Sequence, residues 1–395
     1  MRYLINSKKS GLILIILGIQ LIVSAQTLLY EIDSVNPISG TKSLKITNPL
    51  PEFNFGAIEK IFGFDGQNRY SYCPSVVKLD DGTIHMFYCG NPNPNVMVDN
   101  IYHLRINPDG SKTTEKSVLQ PGVSGSWDDH HTCDPSIIGG DFTMNGTNYK
   151  YALFYLSNKN GVYYNEIGVA FSSDLEADSW VKYPNQVVTK PWSEVGDQYY
   201  SVTGKSWGVG QPSAISLDHK GHVLLTYTVG DKYGSRIEWS ELDMATMDTF
   251  SPVTTTKMVK TGLMNFSNTA AAVTCNSDFG LDVARNMMVM VRPLSSDNTI
   301  YPAYINEYQE VDCISFSDFA NSTGSWRPMA KITPSLTNYA RNHNAGIERN
   351  IYGEIGNWAS PVIYYTVSKA SPDVSNSYGK HAEWTYSIWR VKINN

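Results

Sequence analysis

Basic residues are scarce in this sequence, and charge of either sign is low. Lys and Arg number 31 against 37 Asp and Glu, which leaves a net charge of -6, and charged residues make up only 17% of the chain. An average globular chain has about 25%. Nucleic-acid-binding surfaces need clustered Lys and Arg to neutralise phosphates. We therefore expect no nucleic-acid partner.

Cysteine is also sparse, and its spacing excludes two common uses. The 395 residues contain 5 cysteines and no Cys-x-x-Cys pair, so the chain is neither a disulfide scaffold nor a zinc or thioredoxin-type sequence. Cys73 and Cys89 flank the turn at residues 80–82. Pairing residue 79 with residue 83 in a hairpin places the two cysteines opposite each other. Two interpretations stay open for this pair, a disulfide or two buried free thiols.

The apolar run at the amino terminus is too short for a membrane helix. Residues 11–23 follow a basic start and end shortly before Gln26, whereas a spanning helix needs about 18 or more apolar residues. A basic start, a short apolar segment and small residues before a cleavage site are typical of a signal peptide. We expect residues 1–25 to be removed near Ala25/Gln26. The mature chain, residues 26–395, would then be a single secreted or periplasmic domain without a membrane span.

Tyrosine and a repeated strand pattern are what the sequence has in abundance. Tyrosine occurs 25 times and aromatic residues make up 12% of the chain, a composition that favours β-strands. Three segments share a Pro-Ser pair followed by two apolar residues, namely Cys73-Pro74-Ser75, Asp134-Pro135-Ser136 and Gln211-Pro212-Ser213. Weaker copies begin at Thr269 and His343. Such a repeat determines the architecture before any single motif does.

Each copy is followed by two further segments rich in β-formers. Second strands are predicted at 85–89, 151–155, 223–228, 287–291 and 361–365, and third strands at 101–106, 166–171, 236–242, 311–316 and 386–393. Units of three or four short strands, separated by Gly, Asn and Asp turns, predict an all-β, five-bladed β-propeller. Residues 43–46 are expected to supply a closing strand to the last blade.

The innermost strands of a propeller begin at one mouth of its central channel. The residue that opens each predicted inner strand is therefore a candidate pocket residue. These positions hold Cys73, Asp134, Gln211, Thr269 and His343. One carboxylate, one amide and one imidazole are thus predicted to face a ligand there.

The blade pattern resembles the five-bladed glycosidases of the arabinanase and β-xylosidase type (glycoside hydrolase family 43) and the related invertases and levansucrases (families 32 and 68). The resemblance covers about residues 70–393, and its local motifs are residues 134–136, the hairpin end at 87–90, and residues 167–174 leading to Trp180. It implies a carbohydrate substrate and no required cofactor. The one metal that it allows is a structural calcium ion near the axis, with His343 as its candidate neighbour.

Members of this group usually carry three carboxylates on inner strands. Glycosidic cleavage needs one protonated and one ionised carboxyl group on opposite sides of the anomeric carbon. Here Cys73 and Gln211 occupy two of the expected positions, and only Asp134 matches. The alternatives are a glycosidase acting on arabinan- or xylan-type glycans with loop carboxylates, and a carbohydrate-binding propeller without hydrolysis. A sialidase-like propeller is a third interpretation, suggested by residues 172–174 before Trp180.

Loops near the predicted mouth supply the remaining candidates. The catalytic candidates are Asp134 with a partner from Asp128, Asp129, Glu194 and Glu348. The substrate-binding candidates are Gln211, His130, His131, His343, Arg341, Trp207 and Trp127. Carboxyl groups and imidazoles suit acid–base catalysis, and indole rings suit stacking on a sugar.

Overall fold

The computed structural model describes residues 30–35, 42–46, 53–64, 67–162, 164–190, 207–231, 233–251, 255–294, 305–369 and 385–394. The chain divides into two compact units, Met1–Glu52 and Phe53–Asn395. In the first unit, strands β1 (Tyr30–Val35) and β2 (Lys42–Ile46) form a two-stranded antiparallel sheet. The second unit contains all other described strands. No helix of the described residues is long and apolar enough to cross a membrane.

The second unit is a five-bladed β-propeller, as the repeat predicts. Blade 1 contains β5 (Ser71–Lys78), β6 (Ile84–Gly90), β7 (Asn100–Ile106) and β8 (Lys116–Leu119). Blade 2 contains β9 (His131–Met144), β10 (Thr147–Asn158), β11 (Glu166–Ser172) and β12 (Val181–Lys182). Blade 3 contains β13 (Gly208–Ser216), β14 (His222–Asp231), β15 (Gly234–Asp243) and β16 (Thr256–Lys257). Every neighbouring pair within these blades is antiparallel.

Blades 4 and 5 follow the same plan. Blade 4 contains β17 (Asp278–Asp282), β18 (Met287–Leu294), β19 (Tyr308–Ser315) and β20 (Arg327–Ile332). Blade 5 contains β21 (Arg341–Arg349), β22 (Val362–Ser368) and β23 (Ser387–Asn394). Two short helices, α1 (Phe316–Ala320) and α2 (Pro334–Thr337), flank β20. The predicted second and third strands closely match the observed ones.

The strand that closes blade 5 differs from the predicted one. β4 (Glu59–Gly63) and β3 (Asn54–Phe55) pair with β23, whereas the predicted residues 43–46 pair with β1 in the separate sheet. Ile61 of β4 is buried in the apolar cluster between blades 5 and 1. The closing strand β4 therefore contributes an apolar side chain to the core.

Apolar clusters lie between adjacent blades. Val77 and Phe87 of blade 1 pack with Ile137 and Leu153 of blade 2, and equivalent clusters lie between blades 2 and 3 and between blades 3 and 4. Strands buried on both faces read as continuous apolar runs. This packing explains why the second strand of each blade gave the clearest sequence signal.

A ring of polar contacts joins the inner strands. Backbone amides of Ile137, Ala214, Phe279 and Ile347 donate to side-chain oxygens of Ser75, Ser136, Ser213 and Asp278, each in the preceding blade, at 3.2, 3.0, 3.0 and 2.7 Å. Between blades 5 and 1 the contact is closer, since β21 pairs directly with β5. A Cβ atom on Gly346 would lie 2.0 Å from the Pro74 carbonyl oxygen. Glycine is therefore required where the ring closes.

Residues 350–356, which we call the floor segment, cross the far end of the axis. Its carbonyl groups at Ile351, Tyr352 and Gly353 accept hydrogen bonds from inner-strand amides of blades 2, 3 and 4, at 2.6, 2.9 and 3.2 Å. Just above it, the Arg349 guanidinium donates to the Phe279 carbonyl at 2.7 Å and lies 3.4 Å from the Asp278 carboxylate. Arg349 and the floor segment therefore cover this end of the axis, and a cavity of about 310 Å³ beside them is lined by Lys78, Glu348 and Glu354.

Candidate active site at the mouth of the propeller axis

Four inner strands bend within their first four residues, and the same bend precedes the fifth, β17. Cys73, Asp134, Gln211, Asn276 and Asn344 have positive φ values of 54, 48, 53, 47 and 35°. These residues, which we call the axial ring, line a cavity of about 30 Å³. Left-handed backbone is costly for residues other than glycine and tends to occur at functional sites. The repeated bend turns five polar side chains toward one point.

Two ring positions differ from the predicted ones. Asn276 takes the place predicted for Thr269, and Asn344 takes the place predicted for His343. Asparagine tolerates the left-handed conformation, whereas β-branched threonine does not. Thr269 instead lies in an exposed turn, where its amide donates to the Asn265 side chain at 2.9 Å.

Asp134 is the only carboxylate of the axial ring. It is 6% exposed, and its amide donates to the Cys89 sulfur at 2.9 Å. Burial raises the pKa of its carboxyl group from 3.8 to about 6, against the hydrogen bond from Cys73, which lowers it. The group can therefore exchange a proton near neutral pH, as an acid–base catalyst must.

The cysteine pairing differs from the predicted alternatives. Cys89 forms a disulfide with Cys133 of blade 2, and Cys73 is a free thiol. The bend at Cys73 shifts the hairpin register by one residue, so that Tyr72 rather than Cys73 lies opposite Cys89. The disulfide therefore links two blades immediately before Asp134.

A largely buried Asp–His pair lies near Asp134, with 24% of the His131 side chain exposed. The Asp99 carboxylate contacts His131 Nδ1 at 3.0 Å and accepts hydrogen bonds from the hydroxyl groups of Tyr70 and Tyr72 at 2.7 and 3.2 Å. Burial alone lowers the pKa of His131, but the hydrogen bond and charge of Asp99, with the charge of Asp134, raise it above its ordinary value. An imidazole oriented by a carboxylate is the arrangement of a general acid or base.

The amide side chains of the ring offer oxygen donors to the cavity. Gln211 Oε1 accepts the Asn276 amide at 2.8 Å, while Asn276 Oδ1 and Asn344 Oδ1 are buried without a hydrogen-bond partner among the described residues. With the Asp134 carboxylate these oxygens suit a hard cation such as calcium. Calcium takes about 6 to 8 oxygen ligands, so water would have to complete the shell. His343, the predicted neighbour of such an ion, instead places Nδ1 3.0 Å from Asn306 Oδ1.

Two of the predicted carboxylate partners, Asp128 and Asp129, do not converge on Asp134. Asp128 is buried beside Lys182, 2.5 Å away, and accepts from Tyr155 at 3.2 Å. Asp129 accepts the amides of Gly125 and Asn160 in a surface turn, both at 2.6 Å.

One further predicted partner, Glu348, also lies away from Asp134. Glu348 lies beyond the ring on β21, where it accepts from Tyr364 at 3.1 Å and lies 3.7 Å from Lys78. It is four positions along the strand from Asn344, a distance of about 13 Å. Glu194 lies outside the described residues.

The predicted binding residues occupy varied surroundings. His130 packs 5.3 Å from the His131 ring. Arg341 is buried, donating to the Ile305 carbonyl at 3.0 Å and lying 3.9 Å from Glu307. Burial lowers the pKa of His343 to about 3, which keeps this imidazole neutral.

The two tryptophans pack against the blades. Trp127 stacks on Tyr155 with ring centroids 5.9 Å apart and covers Gly168, and Trp207 lies against Gly230. Tyr72 and Tyr386, with centroids 5.3 Å apart, are an aromatic pair beside the axial ring. Sequence analysis missed this pair and Asp99, because these residues lie outside the repeated Pro-Ser segments.

No protein-family model and no curated protein sequence matches the chain. Solved structures do match in three dimensions. A family 117 glycoside hydrolase of Zobellia galactanivorans has a TM-score of 0.52 at 11% identity, over 87% of this chain and 90% of that one. The chain has the fold of β-propeller glycoside hydrolases.

Two α-L-arabinofuranosidases are similar to the same degree. The family 62 catalytic domain from Coprinopsis cinerea has a TM-score of 0.53 at 12% identity, and the Podospora anserina enzyme, solved in complex with cellotriose, has 0.52 at 10%. Both matches cover 87% of this chain and 97% of the other. The resemblance stated from the sequence is confirmed at the level of fold.

Proposed function

We propose that the protein is a glycoside hydrolase acting at the axial ring, with arabinan- or xylan-type pentose glycans as substrates. The observation that carries this proposal is Asp134, a buried carboxyl group at the convergence of five strands with a pKa of about 6. Arabinofuranosidases among the similar structures support the choice of pentose substrates.

Asp134 and His131 divide the acid–base work. Above about pH 6 the Asp134 carboxylate acts as the base or nucleophile, and the His131 imidazolium, held by Asp99, donates a proton to the leaving oxygen. A glycosidic bond needs both roles filled at once. Activity should therefore rise with pH as Asp134 ionises and fall again as His131 loses its proton, giving a bell-shaped profile.

The test is hydrolysis of arabinans, xylans and aryl pentosides by the chain and by three variants. Asp134→Asn should lose at least about 100-fold in kcat, the usual contribution of acid–base catalysis. His131→Gln should remove the alkaline limb of the profile. The matched control is Asp129→Asn, a carboxylate in a surface turn, which should retain full activity. Equal activity of Asp134→Asn and the parent chain would refute the proposal.

A carbohydrate-binding propeller without hydrolysis is the second candidate. It is favoured by the axial ring itself, in which four of the five side chains are a thiol or amides. Calorimetric binding of an oligosaccharide, with no reducing sugar released from it on prolonged incubation, would select this function.

Secretion belongs to the same proposal. The first 25 residues lie outside the described residues, so their role as a signal peptide rests on sequence alone. Amino-terminal sequencing of protein exported from cells should begin at Gln26, and an intact Met1 on exported protein would contradict it.

A further inference from the structure

Three of the five cysteines of the chain meet at Asp134. The sulfur atoms of Cys73 and Cys89 and a carboxylate oxygen of Asp134 all lie within 4.8 Å of one another. Cys133, bonded to Cys89, places its sulfur 3.4 Å from the Asp134 carboxylate. The described residues thus place a free thiol directly beside a disulfide.

Local backbone structure holds the thiol there. Cys73 has a φ of 54° at the bend of β5, and this bend shifts it away from the position opposite Cys89. Tyr72, the preceding residue, places its hydroxyl 3.0 Å from the Cys133 sulfur. The two other free cysteines, Cys275 and Cys313, are outside this cluster.

A metal centre does not account for this cluster. Zinc sites use thiolate sulfurs, usually in a tetrahedral set of four ligands. Cys89 and Cys133 are bonded to each other, so neither carries a thiolate. Only Cys73 and Asp134 then remain as anionic donors, which is too few.

We propose that Cys73 exchanges with the neighbouring disulfide, which converts the link between blades 1 and 2 into a link within blade 1. The Cys73 sulfur, after passing its proton to the Asp134 carboxylate, attacks the Cys89 sulfur. The Cys73–Cys89 bond forms, the Cys89–Cys133 bond breaks, and the Cys133 thiolate takes up a proton. The number of thiols and disulfides is unchanged, so no oxidant or reductant is needed.

The exchange changes the surroundings of Asp134. Before it, the carboxyl group receives a hydrogen bond from the Cys73 thiol, and the adjacent Cys133 is tied to β6. After it, that donor is lost and Cys133 is released from blade 1. The consequence for catalysis rests on the proposed function, whereas the covalent exchange does not.

Burial raises the pKa of the Cys73 thiol well above its ordinary value, so little thiolate forms at neutral pH. Since the thiolate is the attacking species, exchange should be slow at neutral pH and faster in alkali. The protein should therefore keep the Cys89–Cys133 disulfide at neutral pH and form the Cys73–Cys89 isomer only after a period in alkali.

The experiment is disulfide mapping of the full chain purified without reductant. Samples are held at about pH 9.5, above the ordinary thiol pKa of about 8.5, because burial raises the pKa of Cys73. They are then quenched in acid, labelled with N-ethylmaleimide and digested without reduction. Mass spectrometry should show Cys73 linked to Cys89, with labelling of Cys133 at least about tenfold above that in Cys73→Ser. The matched control, Cys313→Ser, removes a distant buried thiol and should exchange like the parent chain.

A second variant tests the geometry directly. Cys133→Ser leaves Cys73 and Cys89 as neighbouring thiols, which should join on oxidation with oxidised glutathione while the circular dichroism spectrum stays that of the parent. If this variant does not fold, the disulfide mapping of the wild-type chain tests the proposal without it. Retention of Cys89–Cys133 alone in the wild type at alkaline pH would overturn the proposal, whatever the outcome of the hydrolysis assay.

Discussion

At the scale of single residues, the site depends on a backbone conformation repeated five times. Cys73 and Gln211 hold left-handed bends that suit them poorly, while Asp134, Asn276 and Asn344 tolerate the conformation better. Strain of this kind persists only where surrounding structure holds it. Here the contacts between blades hold it, and the result is a buried carboxyl group facing the axis.

Replacing Asp134 with asparagine should stabilise the protein at neutral pH. An unfolded aspartate titrates near about 3.9, whereas burial raises the pKa of Asp134 to about 6 in the fold. The folded state therefore retains a proton through this window that the unfolded state has lost, so the contribution of Asp134 to stability falls as pH rises from about 4 to about 6. The substituted amide cannot ionise, so the free energy of unfolding of Asp134→Asn should exceed that of the wild type by about 2–3 kcal/mol at pH 7 and by little at pH 4.

Urea denaturation of both proteins at the two pH values measures this difference. Asp109→Asn, in an exposed turn whose aspartate pKa is lowered by Ser111, is the control and should show no such gain. A difference that does not depend on pH would contradict the buried-charge explanation.

Asp99 should control the titration of His131. Burial lowers the pKa of this imidazole, and Asp99, together with Asp134 and Asn165, more than offsets that effect. In Asp99→Asn the pKa of His131 should therefore fall below its ordinary value of about 6.5. NMR titration of the histidine ring protons, with His131→Gln to assign the signal, makes the measurement. Asp129→Asn should leave the titration unchanged, and an unshifted His131 in Asp99→Asn would exclude the pairing.

Sequence alone predicted part of this site. Asp134 was found because Pro135 and Ser136 mark the repeat, whereas Asn276 lacks the following proline. Asp99 precedes an ordinary third strand and carries no local signal. It meets His131 only because the inner strand of blade 2 packs against blade 1, and one sequence does not reveal such contacts between blades.

At the scale of elements, apolar runs in the sequence predicted the strands but did not predict the connecting segments. β14 and β18 are buried along nearly their whole length, which a short sequence window detects. The floor segment has no such pattern. Its carbonyl groups accept hydrogen bonds from backbone amides of three other blades. Every residue type has a backbone carbonyl, so these contacts leave no pattern in the sequence.

Gly353 tests the floor segment. Its φ is +84°, and a Cβ atom there would lie 3.0 Å from both the Ala214 carbonyl oxygen and Ile215 Cα. Gly353→Ala should lower the free energy of unfolding by about 1–3 kcal/mol, because both the backbone strain and the contact are unfavourable. Gly356→Ala, in the same segment but with open space around its Cα, should change it little. Equal effects in thermal denaturation would show that the floor segment is not held as described.

At the scale of the whole molecule, a propeller must close its circle. The described residues close it through the pairing of β4 with β23 at the outside and of β21 with β5 at the axis. The number of blades followed from counting repeats, since each unit buries its faces only against its neighbours. The closing strand did not follow, because it belongs to no repeat.

Two buried serines on inner strands can be compared to test whether the ring of polar contacts stabilises the fold. Ser136 is 1% exposed and accepts the Ala214 amide of the next blade at 3.0 Å, so Ser136→Ala leaves a buried N–H group unpaired. That should cost about 1–3 kcal/mol. Ser216 is 2% exposed, but its hydroxyl has no hydrogen-bond partner among the described residues. Ser216→Ala removes an unsatisfied group and should leave stability unchanged or raised. Urea denaturation of the two variants side by side tests these contacts, and a greater loss in Ser216→Ala would contradict them.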